Sequence, residues 1–144
     1  MKQNYQIKRI SPEQTWDLRH SVMWPDRPID YVKLDEDKNG LHFGLEVEGK
    51  LMSIISVFVE EDKAQFRKFA TDKPHQGKGF GSHLLAHVLA FLEAEEISLI
   101  WCNARLEKTG FYEKFGMRKT DKTFQKGGID YVIMEKQVAQ GSIG

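Results

Sequence analysis

Apolar residues alternate strictly at Leu41, Phe43, Leu45 and Val47. That period of two predicts a half-buried strand. Glu48-Gly49-Lys50 supplies a turn, and the more uniformly apolar run Leu51 to Glu60 predicts the returning strand of a hairpin. Glu61-Asp62-Lys63 makes a second turn before a strand from Ala64 to Thr71. The period then changes. Phe80, Leu84, Leu85, Val88, Phe91 and Leu92 share one face at helical spacing, which predicts a helix from about Gly79 to Glu95. A largely apolar strand from Ile97 to Asn103 reads as buried on both faces. A short helix from Glu107 to Phe115 stops at Gly116, a good left-handed cap. Met117 to Phe124 and Ile129 to Glu135 then pair around Lys126-Gly127-Gly128 as a last hairpin.

Ahead of this frame, Tyr5 to Ile10 predicts a first strand. Ser11-Pro12-Glu13-Gln14 opens a helix running to about Val22, with Ser11 as cap, Pro12 at the first helical position and Gln14 three residues beyond the cap. Trp24-Pro25-Asp26-Arg27-Pro28 ends it, because proline has no amide proton to donate. The stretch from Trp24 to Gly40 is polar and irregular, with a helical turn near Ile29 to Leu34. The pattern is that of an α+β fold in three layers. A mixed sheet of about six or seven strands combines an antiparallel meander with a β-α-β crossover and is flanked by about four helices. The expected organisation is a single domain over residues 1–137 with a flexible tail over 138–144. The last strand reads as an exposed edge, open to a second copy, so a monomer or a homodimer is expected.

Composition narrows the function. Lys plus Arg total 21 and Asp plus Glu total 21, and this neutral balance, with no dense basic stripe, argues against nucleic acid as partner. Local positive charge at Arg67, Lys68, Lys73 and Lys78 suits a small polyanion better. No apolar run approaches the roughly 20 residues of a membrane helix. Met1 to Gln6 has no apolar signal region, and the lone Cys102 closes no intramolecular disulfide, so a cytoplasmic protein without a membrane is expected.

The chemistry concentrates in Gln76-Gly77-Lys78-Gly79-Phe80-Gly81-Ser82, between a strand and a long helix. Glycines let a backbone approach an anion closely, and the first helical amides have no intrahelical partner. A diphosphate placed there satisfies several of them, helped by the helix dipole and by Lys73 and Lys78 at the rim. A mere connection is a poor explanation for three glycines in five residues at a helix start, where each costs about 1 kcal/mol relative to alanine. The turn lacks the Gly-Lys-Ser/Thr ending of a P-loop, and its G-x-G-x-G spacing is not the dinucleotide fingerprint.

Phe66-Arg67-Lys68-Phe69-Ala70-Thr71 followed by Gln76-x-x-Gly79-x-Gly81 resembles the core motif of the GNAT superfamily of N-acetyltransferases, which reads Gln/Arg-x-x-Gly-x-Gly/Ala. Asn103-Ala104-Arg105 with Phe111-Tyr112-Glu113-Lys114-Phe115-Gly116-Met117 is similar to the family's Phe/Leu-Tyr-Glu-Lys-Leu-Gly-Phe segment. The strand order agrees across nearly the whole chain. Arg105 departs from the commoner family pattern, in which an asparagine lies seven residues before the tyrosine, and the Asn-Ala-Arg run resembles a branch without an assigned substrate.

The resemblance implies acetyl-CoA as co-substrate and donor, an amine of a small molecule or peptide as acceptor, and direct attack of that amine on the thioester. It implies that Gln76, Gly77, Lys78, Gly79, Phe80, Gly81 and Ser82 hold the pyrophosphate. Phe69 and Thr71 would offer backbone groups to the pantetheine arm, with Ala70 between them facing the other way. Asn103 and Phe111 would line the far side of that groove, and Tyr112 would stand at the acid position. No base is assigned, since Arg67 and Lys68 occupy the strand where some members carry a glutamate, and Glu60 and Glu61 read as solvated surface charge. The alternative to an enzyme is a non-catalytic acyl-CoA-binding sensor or regulatory module. His83 and His87 lie four apart, but no cysteine or carboxylate completes a ligand set, so no metal is expected. Cys102, inside an apolar strand, reads as a buried inert thiol. Trp24, Arg27 and Asp30 stand where this fold overhangs the acceptor, to select a carboxylate or an apolar group, with simple core packing of Trp24 as the other reading.

Overall fold

The protein, described by a computed structural model over residues 4–138, is built on one seven-stranded sheet. Its strands are β1 (Gln6–Ile10), β2 (Leu41–Val47), β3 (Lys50–Glu60), β4 (Lys63–Thr71), β5 (Leu99–Arg105), β6 (Arg118–Lys126) and β7 (Ile129–Gln137). Their order in the sheet is β1-β2-β3-β4-β5-β7-β6. All neighbours are antiparallel except β4 and β5, which are parallel and joined through the helix α2 (Phe80–Ala94). This is the expected GNAT-like α+β fold.

The last strand is not an edge. β7 lies between β5 and β6, because the closing hairpin folds back so that its second arm pairs with β5 over Leu99–Arg105, leaving β6 outermost. β5 is also not buried on both faces. Ile100, Cys102 and Ala104 face the core, whereas Asn103 and Arg105 are exposed.

α2 covers one face of the sheet. Phe80, Leu84, Leu85, Val88, Leu89 and Leu92 are buried against Phe43, Leu45, Ile55, Val57 and Phe66. Phe91 packs at the margin, its ring 5.3 Å from that of Phe43. Burial of these side chains, roughly 1.5–3 kcal/mol for each large one, is what holds α2 in place.

The other face is covered by a composite segment. A 3-10 turn (Pro12–Thr15) leads into α1 (Trp16–Leu18) and a π-helical turn (Arg19–Met23), where one regular helix was expected. Leu18, Val22 and Met23 pack there on Ile10, Ile54 and Ala70. The wider π turn carries Arg19, which is fully buried. Its guanidinium donates to both carboxylate oxygens of Asp37 (2.7 and 2.9 Å), to the Val32 carbonyl (3.0 Å) and to Ser56 Oγ (3.0 Å). Asp37 belongs to a 3-10 turn (Asp35–Asn39) that the sequence pattern did not predict. His42 closes the network, with Nδ1 2.7 Å from Ser56 Oγ and Nε2 2.8 Å from the Asp37 carbonyl.

Val138, the first residue of the expected tail, packs against the main core and donates its N–H to the Ser98 carbonyl at 2.9 Å. Residues 139–144 lie outside the described residues.

Candidate functional site

The two parallel strands part. β4 and β5 pair only through Lys63↔Leu99, Ala64↔Ile100 and Gln65↔Trp101, although β4 continues to Thr71 and β5 to Arg105. From Phe66 onward the β5-facing edge of β4 has no strand partner among the described residues, so its backbone polar groups face an open fork.

The glycine turn stands at the open end of that fork. Gly77 (φ +83°) and Gly79 (φ +86°) occupy the left-handed region, which a side chain rarely adopts. The first bond of the helix is His83 N–H to the Gly79 carbonyl, 3.0 Å. No hydrogen bond within the described residues uses the six consecutive N–H groups from Gly77 to Ser82. Gly77, Lys78 and Gly79 are exposed, so the first three of these donors are accessible. Ahead of the turn, His75 Nδ1 is 2.8 Å from Asp72 Oδ2, and the Gln76 amide donates to the Thr71 carbonyl at 2.9 Å, tying the turn to β4. Gly81 lies closest to the strand. A Cβ there would meet Thr71 Oγ1 at 3.2 Å and Phe69 Cζ at 3.3 Å. The turn therefore has the free donors, left-handed torsions and close backbone approach that a coenzyme A diphosphate requires.

Phe69, Gly81 and Phe111 come together across the fork, with the Phe69 and Phe111 rings 6.2 Å apart. Asn103 does not join them. It alternates with the buried Cys102 and Ala104, and this sends its side chain to the face away from α2. Ala70 packs under the α1 side, opposite to Phe69.

Tyr112, from the short helix α3 (Thr109–Glu113), lies at the vertex. Its ring is 5.7 Å from Phe66, the first β4 residue beyond the paired stretch, and 5.2 Å from Phe111. Burial, with the neighbouring Cys102 thiol, pushes its hydroxyl well above the usual phenol range, against a small opposing effect of Arg105. The hydroxyl makes no hydrogen bond among the described residues. Burial likewise pushes Cys102 up to about 12, so this thiol stays protonated and unreactive.

Glu60 and Glu61 sit at the β3–β4 turn, at the end of β4 remote from the glycine turn, and are exposed. His83 stacks on Tyr5 at 4.9 Å, and no group of three or more metal-ligating side chains occurs among the described residues.

On the opposite face, β4 carries a bulge. Ser56 pairs with Arg67 and Ile54 with Ala70, so Ile55 faces both Lys68 and Phe69. Lys68 takes the left-handed conformation (φ +55°). This insertion keeps Phe66 and Phe69 on the α2 side and turns Arg67 and Lys68 both the other way, where Lys68 Nζ lies 4.6 Å above the Trp24 ring. Trp24 meets Tyr31 edge-on at 5.3 Å, and the Arg27 guanidinium lies 4.9 Å over Tyr31. Asp30 is engaged elsewhere, with Lys33 at 2.8 Å.

Comparison with known proteins agrees with this geometry. Residues 8–138 match the family described as acetyltransferase (GNAT) domain. Over 141 residues the chain is 30% identical to the N-acetyltransferase YitI of Bacillus subtilis (strain 168), covering 91% of this chain and 95% of that protein. The ribosomal-protein-S18-alanine N-acetyltransferase of Escherichia coli has a similar fold, with TM-score 0.81 at 19% identity over 96% of this chain and 97% of that one. So does a GNAT family acetyltransferase from Elizabethkingia anophelis with acetyl-CoA bound, with TM-score 0.72 at 16% identity over 94% and 99%.

Proposed function

Because the chain belongs to the acetyltransferase (GNAT) domain family and is an N-acetyltransferase, we propose that it transfers acetyl from acetyl-CoA to a primary amine of a small molecule or peptide within a ternary complex. The observation that carries the donor assignment is the run of six unpartnered N–H groups from Gly77 to Ser82 beside the fork. In this reading Gln76 to Ser82 hold the pyrophosphate. The free edge of β4 at Phe69 to Thr71 takes the pantetheine amides, and Phe111 walls the groove. Asn103 would contribute from the far face of β5.

Acetyl-CoA supplies a thioester carbonyl, on which the amine nitrogen forms a C–N bond as the C–S bond breaks and the sulfur leaves with the electron pair. The amine loses one proton and the sulfur needs one, so the exchange is balanced within the site. In this reading Tyr112 acts on the departing sulfur. With its own acidity weakened by burial, it serves best as a fixed hydrogen-bond donor that stabilises the negative sulfur without giving up its proton completely. The free hydroxyl at the vertex of the fork supports this role.

Release of coenzyme A thiol from acetyl-CoA over a panel of amines tests the activity. Tyr112→Phe is expected to lower kcat by about a hundredfold or more while leaving acetyl-CoA affinity within about twofold of wild type. Unchanged turnover in this variant would remove Tyr112 from the chemistry.

A further inference from the structure

We propose that the amine acceptor carries an anionic group, a carboxylate or a phosphate, held by Lys68 and Lys126 on the sheet face opposite α2 while its nitrogen enters the β4–β5 fork. The proposal rests on the donor reading above. If coenzyme A reaches the fork from the glycine turn on the α2 side, the acceptor must come from the other side, and Lys68 stands there.

The bulge is the first support. A left-handed lysine is uncommon and costs conformational energy, and here it interrupts the pairing of β4 with β3. Its effect is to bring two consecutive cations onto one face beside the opening. Their surroundings are the second support. Arg67 is already engaged by Glu36 at 2.8 Å, and Arg19 by Asp37 at 2.7 Å. Lys68 and Lys126 form no ion pair among the described residues. The charged groups acting on Lys68 are the cations Arg67, Arg19 and Lys126 and one anion, Glu36, already bound to Arg67. Burial, reinforced by those three cations, pulls the Lys68 ammonium down to about 8. Lys126 comes from the end of β6, beside the Gly127–Gly128 turn, and its charge is among those that act on Lys68.

A partly buried ammonium set among other cations, with no anion bound to it, is unfavourable until an anion joins it, and the same field repels a cationic acceptor such as a polyamine. The Trp24 ring, one face of which Lys68 covers, would offer its remaining apolar surface to the acceptor's carbon chain.

Steady-state kinetics on ω-amino carboxylates, ω-amino phosphonates and the matching ω-amino amides tests this, since the compounds differ only in the charge at the far end. Wild-type kcat/KM is expected to be about tenfold or more higher for an anionic member than for its amide. Which anion wins identifies the group. Lys68→Met and Lys126→Met are each expected to bring that ratio towards unity, mainly by raising KM, while keeping the melting shift given by acetyl-CoA. Lys68→Arg should retain the preference. Lys126 is exposed at the end of β6, so its variant stays informative if Lys68→Met disturbs the bulge. A panel in which no anionic amine outperforms its amide, or variants that leave the ratio unchanged, would overturn the acceptor proposal alone. Wild-type protein whose melting point ignores acetyl-CoA would overturn the donor reading, and this one with it.

Discussion

Replacing Gly79 by Val is expected to abolish the stabilisation that acetyl-CoA confers on the wild-type protein. Ligand at about a hundredfold over its dissociation constant adds about 2.7 kcal/mol, several degrees of melting temperature for a chain of this size. Gly79 has φ +86° and caps α2, so the amides that open the helix take their direction from this residue. A β-branched side chain resists that torsion by about 1–2 kcal/mol or more, and the turn relieves the strain by rotating the donors away. Gly81→Val adds a different insult, because its side chain would press on Thr71 and Phe69, less than 3.4 Å from the new Cβ. Gly49→Val is the control. Gly49 also has positive φ (+81°), but it sits in the β2–β3 turn with nothing within 4 Å. That variant should lose comparable intrinsic stability and keep the full ligand shift, which differential scanning fluorimetry reads directly.

The second large effect concerns folding. Arg19→Ala or Asp37→Ala is expected to cost about 3–5 kcal/mol, because each leaves its partner charged and buried. Against a total of about 5–15 kcal/mol, such a loss brings the protein close to unfolding at ordinary temperature. Arg19→Met with Asp37→Leu should be much milder, since no orphaned charge remains. Urea denaturation separates the cases by midpoint. The pair also sets an acid limit. Burial pushes the Asp37 carboxyl up, but the bonds and charge of Arg19, the Leu34 N–H and His42 outweigh it and hold the group below the usual carboxylate range. A depressed folded value gives stability that is present above the unfolded pKa of about 3.9 and lost as pH falls through the lower folded one. Acid titration of the double variant should lose this component of the transition below about pH 4.

The meander and the crossover were legible because each rests on a local period. Leu41, Phe43, Leu45 and Val47 alternate into a half-buried strand, and α2 lies within one residue of its expected ends. The glycine turn was legible because left-handed torsions and a close backbone approach need glycine at fixed places. What escaped depends on partners distant in sequence. The Arg19–Asp37 pair joins residues 18 apart through a π turn whose register no apolar pattern reveals. The placement of β7 inside the sheet follows from its pairing with β5, which no hairpin signal contains. The bulge did leave a trace. Phe66 and Phe69 are an odd number of residues apart, so a regular strand would send them to opposite faces, yet both contact the α2 side. Two aromatics at that spacing around Arg67-Lys68 are the sequence mark of the insertion that turns Lys68 to the face opposite α2.

The central claim is that the amides from Gly77 to Ser82 hold coenzyme A. Amide chemical-shift mapping by two-dimensional nuclear magnetic resonance, with acetyl-CoA added stepwise to the labelled protein, tests it without relying on activity. The account predicts that the largest shifts fall on the N–H signals of Gly77, Lys78, Gly79, Phe80, Gly81 and Ser82, followed by those along Phe69 to Thr71. Saturating acetyl-CoA that leaves these signals in place, whether or not others move, would contradict it.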